Sequence, residues 1–156
     1  MDNKFNFKRY IELVDIETSL ESQNKVFFEE NKKQFLELLS YRADAESQMT
    51  YNRKNIYFSL IEGYLTKKLT PDEFRSKFLD SKTKDSSDAY RITSDLKQLS
   101  TFQVSSKATQ FSSLILQVHN SSMSIIDLGP EDGLSETEFR ALVKKTYSQL
   151  KDFLEE

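Results

Sequence analysis

YLTKKLTPDEFRSKFL, residues 64–79, holds the end of one helix and the start of the next with almost nothing between them. Pro71 disfavours helical geometry at Thr70, so a helix arriving from the N-terminal side stops there. Thr70 is then free to cap a new helix, and Pro71 suits its first turn, where no N–H is needed. Glu73, three residues after Thr70, completes a capping box, and Asp72 and Glu73 both match the positive end of the helix dipole. Upstream, Ile56, Leu60, Ile61, Tyr64 and Leu65 make an apolar stripe at helical spacing, and downstream Phe74, Phe78 and Leu79 begin another. The stretch therefore reads as a tight αα-hairpin. Gly63, inside its first helix, costs about 1 kcal/mol relative to Ala.

The same spacing rules, carried outward, predict helices on both sides. Phe7, Tyr10, Ile11 and Val14 mark one over residues 5–20. Val26, Phe27, Phe28, Phe35, Leu36, Leu38 and Leu39 mark another over 23–47. Residues 40–55 are polar and poor in aliphatic side chains, and read as a helical tail or a connector at a domain boundary. DSKTKDSSD, residues 80–88, reads as a polar loop. A helix is expected over 87–101, then a weak link, then a longer helix carrying Phe111, Leu114, Ile115 and Val118, with Met123 and Ile126 read as continuing the same apolar stripe. LGPEDG, residues 128–133, ends it with two glycines and a proline. Ser135 and Glu138 repeat the capping pattern ahead of a last helix with Phe139, Leu142, Val143, Tyr147, Leu150, Phe153 and Leu154. The expected fold is all-α: an antiparallel four-helix bundle over residues 51–156, preceded by a helical extension over 1–50.

Composition agrees. The 156 residues include 3 Gly and 2 Pro, too few for a turn-rich sandwich or barrel, and 12 Phe with 7 Tyr to fill a core. Lys and Arg number 22 against 25 Asp and Glu, and neither half is basic, which argues against a nucleic-acid binder. With no cysteine, disulfides, thiol nucleophiles and cysteine-based zinc sites are excluded. The first residues carry neither an apolar signal core nor a small-residue cleavage site, and no run approaches the roughly 20 apolar residues of a membrane span. Residues of AT-rich codons greatly outnumber those of GC-rich codons. The expected location is therefore the cytoplasm or an organelle stroma, a plastid included.

Chemistry is sparse. His119 is the single histidine and has no serine–acid pattern around it, so it reads as an ordinary helix residue. DLGPEDGLSETE, residues 127–138, imitates a calcium loop in its first and last acids, but Gly129 stands where a ligand is needed and the turn glycine comes one place late. Three glycines cannot build a phosphate loop. No catalytic residue, metal or cofactor is expected. The densest acidic group, Asp127, Glu131, Asp132 and Glu136, is the candidate surface for docking a basic protein partner, by steering and complementarity.

Two segments resemble a known family. YFSLIEGYLTKKLTPDEFRSKFLD, with Lys68-Leu69-Thr70-Pro71-Asp72-Glu73-Phe74 at its centre, looks like the opening of the colicin-D-type immunity proteins. EDGLSETEFRALVKKTYSQLKDFL is similar to that family's closing helix through Gly133, Leu134, Phe139 and Arg140. The resemblance covers about residues 57–154 and rests on short, mostly structural motifs. It implies a compact antiparallel four-helix bundle without catalytic activity that neutralises a nuclease toxin by covering the toxin's basic cleft with acidic side chains. Lys82, Lys84, Lys144 and Lys145 interrupt the acidic surface, and residues 1–50 lie outside the family pattern. The alternative expectation is an accessory or linker subunit of a larger assembly, an organellar photosynthetic one included, docked through the N-terminal helices.

Overall fold

The computed structural model describes residues 5–154, apart from the side chains of Leu96, Pro130, Glu131 and Asp132. Within them the chain forms α1 (Phe7–Ser22), α2 (Phe27–Glu30), α3 (Lys32–Asn52), α4 (Lys54–Leu65), α5 (Pro71–Ser94), α6 (Leu96–Leu99), α7 (Ser106–Asp132) and α8 (Glu136–Leu150), closed by a 3₁₀ turn at Lys151–Phe153. The described residues contain no strand, so the fold is all-α.

Polar side chains set most of the helix starts. Asn6 accepts from the Arg9 N–H, and Asn31 from the Gln34 N–H. The extended backbone at Asn31 divides the single helix expected over 23–47 into α2 and α3. At Thr70 the full reciprocal box is present: the hydroxyl accepts from the Glu73 N–H at 3.1 Å, and the Glu73 carboxylate accepts from the Thr70 N–H at 3.4 Å. Ser135 accepts from the Glu138 N–H and donates its hydroxyl proton to the Glu138 carboxylate. Gly63 has a packing reason, since a Cβ there would stand 3.0 Å from Leu69 Cδ1. Leu69 thus lies close against α4, and its N–H donates to the Gly63 carbonyl.

Two expectations are corrected. Residues 80–88 are not a loop but the middle of α5. Their buried positions continue the stripe of Phe74 and Phe78 through Lys82, Asp85, Ala89 and Thr93, so the helical period persists while the chemistry turns from aromatic to ionic. The helix expected over 87–101 is interrupted at Asp95, whose carboxylate accepts from the Lys97 and Gln98 N–H groups and so starts the short α6. The polar residues 40–55 follow the helical-tail reading, because α3 runs through to Asn52.

Two apolar clusters result. The larger packs Tyr57, Phe58, Ile61, Tyr64, Phe74, Phe78, Phe111, Ile115, Val118, Phe139, Val143 and Leu150 from α4, α5, α7 and α8. The smaller joins Phe5, Tyr10, Leu13, Phe27 and Leu38 to Leu99 and Val104. The N-terminal helices thus share their core with residues far along the chain, and the Tyr10 hydroxyl donates to the Thr93 carbonyl at 2.8 Å. Residue 50 lies inside α3, which packs on both α5 and α7. Among the described residues no helix is long and apolar enough to cross a membrane.

Candidate functional site

The densest polar chemistry lies between α3 and α5. The Asp85 carboxylate, 1% exposed, accepts from the Thr50 hydroxyl at 2.8 Å, from Arg53 Nη1 at 2.7 Å and from the Tyr57 hydroxyl. Arg53 also pairs with Asp88. Lys82, almost fully buried, donates to Thr50 Oγ1 at 3.1 Å and to Glu46 Oε1 at 3.3 Å, and Ser86 donates to the same Glu46 oxygen at 2.6 Å. Thr50 therefore links the two ion pairs, taking a bond from Lys82 and giving one to Asp85. Two residues before Thr50, the Gln48 side-chain oxygen accepts the Ser105 N–H at 2.6 Å and ties α3 to the start of α7.

The electrostatics are those of a structural staple. Burial, reinforced by Asp85, pushes the Tyr57 phenol far above its ordinary range, so it stays protonated as a donor. The hydrogen bond from Arg53 holds the Asp88 carboxyl below its ordinary value. Three donors on one buried carboxylate fix the orientation of Asp85 between Thr50, Arg53 and Tyr57. The cavity beside it, lined by Arg53, Tyr57, Ser81 and Asp85, holds about 40 Å³, room for little more than one water molecule. A wider groove of about 320 Å³ lies on the outer side of the same helices, between Leu39, Arg42 and Glu46 of α3 and Ser86, Tyr90 and Thr93 of α5. Arg42 is occupied there by the Glu17 carboxylate at 2.8 Å.

The acidic group expected at the α7–α8 corner is only partly described. Asp127 is exposed near the end of α7. Glu136 turns toward the molecule: its carboxylate pairs with Arg75 Nη1 at 2.6 Å and accepts from the Tyr64 hydroxyl at 3.3 Å. The side chains of Glu131 and Asp132 lie outside the described residues. Glu136 is thus engaged by α4 and α5, while Asp127 faces solvent. Beside Asp127, α7 exposes Leu116, Met123 and Ile126, the last by 53%. Their spacing of i, i+7 and i+10 puts them along one side of the helix, a stripe that no sequence argument separated from the core-facing one. His119 falls on the same side, half-buried, with Nδ1 enclosed and without a hydrogen-bond partner among the described residues.

No family model, curated protein or solved structure matches this chain.

The polarity of residues 80–88 makes them read as a loop in the sequence and hides the α3–α5 ionic cluster. The available signal was periodic: Phe74, Phe78, Lys82, Asp85 and Ala89 recur every three or four residues, as a helix with one inward face requires.

Proposed function

We propose that this chain is a non-catalytic binding module that blocks a nuclease toxin by covering its basic cleft, as the resemblance to colicin-D-type immunity proteins implies. In this reading α4, α5, α7 and α8 form an antiparallel four-helix bundle, with α1–α3 as an extension packed against it. The observation that carries it is the outer side of α7, where Leu116, Met123 and Ile126 are exposed beside the solvent-facing Asp127. Large apolar side chains aligned on one helix face and bordered by charge are the composition of a protein-binding patch. The acid adds attraction and orientation toward a basic partner. The polar interior supports the same reading, since its carboxylates and cations are spent on one another.

A second reading rests on a different observation. Val26, Phe28 and Leu36, near the N-terminal end, are also exposed, by 45–56%. They suit an accessory subunit docked through its N-terminal helices onto a larger assembly.

The two separate by mutation. A nuclease retained by the immobilised chain is assayed with added wild type, with a Met123→Asp/Ile126→Asp double variant and with Phe28→Asp. Stoichiometric inhibition that the α7 variant loses, at unchanged melting temperature, and that Phe28→Asp keeps is the expected result. Inhibition untouched by the α7 variant removes the outer side of α7 as the docking face, and a retained nuclease that the wild-type chain does not inhibit removes the first reading. Association with a large complex, lost only in Phe28→Asp, establishes the second.

A further inference from the structure

Arg140, Lys144, Tyr147, Ser148 and Lys151 recur at i, i+4, i+7, i+8 and i+11 and share one side of α8 and the turn that follows it. With Leu65 at the end of α4 they line a pocket of about 360 Å³, within the size range of small-ligand sites. Among the described residues, three of the six that line it are cationic and none is acidic. The carboxylate closest in the hydrogen-bond network, Glu62, already accepts the Tyr147 hydroxyl at 2.8 Å.

Each cation is incompletely satisfied. The Arg140 guanidinium lies 4.6 Å from the Tyr64 ring centroid and donates to the Tyr64 and Leu65 carbonyls at 3.4 Å, long bonds that leave other N–H groups for a stronger acceptor. Lys151 Nζ sits 4.6 Å from the Tyr147 ring centroid. Lys144 has no ion pair among the described residues. The helix dipole explains a cation at the end of α8, such as Lys151. It does not explain Arg140, near the start of α8, and an i, i+4 pair of like charges such as Arg140 and Lys144 opposes helix formation. Leu65 and the Tyr147 ring supply an apolar wall beside the charges.

We propose that this pocket binds a small organic phosphate, with the phosphate among Arg140, Lys144 and Lys151 and its apolar body against Leu65 and Tyr147. A planar guanidinium with two ammonium groups is a phosphate-recognising set. This site is separate from the outer side of α7 and does not depend on what binds there.

The test is titration of the full chain with phenyl phosphate and with inorganic phosphate, followed by ¹⁵N amide shifts. Saturable shifts confined to residues 140–151 and the end of α4 are expected, with phenyl phosphate the tighter of the two. Lys144→Glu should weaken phenyl phosphate binding about tenfold or more at unchanged melting temperature, since its ammonium has no internal partner to lose. Lys77→Glu, the same charge change at an exposed position of α5, should leave affinity within about twofold. Failure to saturate, or equal weakening by the two variants, overturns the site. Equal affinity for both probes overturns the role of the apolar wall.

Discussion

Among single residues, Asp85 carries the most consequence. Its carboxylate is buried and accepts from Thr50, Arg53 and Tyr57. Removing it strands two buried hydroxyl donors and a partly buried guanidinium, so Asp85→Ala should cost about 3 kcal/mol of unfolding free energy in urea titration. Tyr57→Phe removes one donor from a carboxylate that keeps two others, and should cost about 1 kcal/mol. Equal losses would mean that the phenol, not the ion pair, holds the cluster. His119 gives the complementary case. Burial, with Lys82 acting in the same direction and Glu46 against it, holds its pKa below the ordinary 6.5. The folded chain therefore binds this proton less readily than the unfolded chain, and protonation favours unfolding. The His119 contribution is complete above pH 6.5 and is lost as pH falls from there through the lower folded value. His119→Leu should flatten the melting temperature between neutral pH and that lower value. It should also stabilise the protein by about 1 kcal/mol even above that window, because an enclosed nitrogen without a partner is removed, and by more below it, where the cost of protonating the ring is removed as well. Asp88 and Glu37, both held below their ordinary values by arginine, begin to lose their contributions only at more acidic pH, below 3.8 and 4.5, whereas the His119 loss begins at 6.5.

Among the elements, the junction of α7 and α8 is the most constrained. Gly129 adopts φ 74°, ψ 179° inside the run that ends at Asp132, a conformation open in practice only to glycine. A Cβ placed there would meet nothing within 4 Å, so any loss on substitution comes from the backbone. Gly129→Ala should therefore lower stability by about 1–3 kcal/mol in chemical denaturation. A neutral result would mean that the chain turns there by another route. Thr70→Ala, which removes the first half of the capping box, should cost about 1 kcal/mol. Both features were legible in the sequence: Thr70-Pro71-Asp72-Glu73 specifies its cap through local chemistry, and Gly129-Pro130 marks the end of a regular helix. What stayed hidden depends on contacts between distant segments. Residues 80–88 look like a solvated loop until α3 and the residue that caps its end supply Glu46, Thr50 and Arg53 to Lys82, Asp85 and Asp88. Glu136 was legible as a first-turn acid but not as the partner of Arg75 and Tyr64, because those residues lie more than sixty positions away. The stripe of Leu116, Met123 and Ile126 could not be told from core by period alone, since burial depends on where the neighbouring helices stop.

For the whole molecule, the question is whether residues 1–50 fold with the rest or apart from it. α3 begins against α1 and α2, with Leu38 in the smaller apolar cluster, and ends against α5 and α7 with Thr50 in the ionic network. The smaller cluster is itself closed by Leu99 and Val104, so the N-terminal helices cannot complete their core without residues far along the chain. Such shared packing makes unfolding cooperative across both clusters. A single transition, coincident by far-ultraviolet circular dichroism and tyrosine fluorescence, is the expected outcome. Leu13→Ala in the smaller cluster and Ile115→Ala in the larger, both at fully buried positions, should each move that one transition by about 2–5 kcal/mol. Two resolved transitions, with Leu13→Ala shifting only one of them, would show that the extension is a separate folding unit. In the single-transition case the stability of the α8 pocket and of the outer side of α7 depends on α1, and variants in the N-terminal helices should weaken binding at either place through loss of folded protein rather than loss of contact.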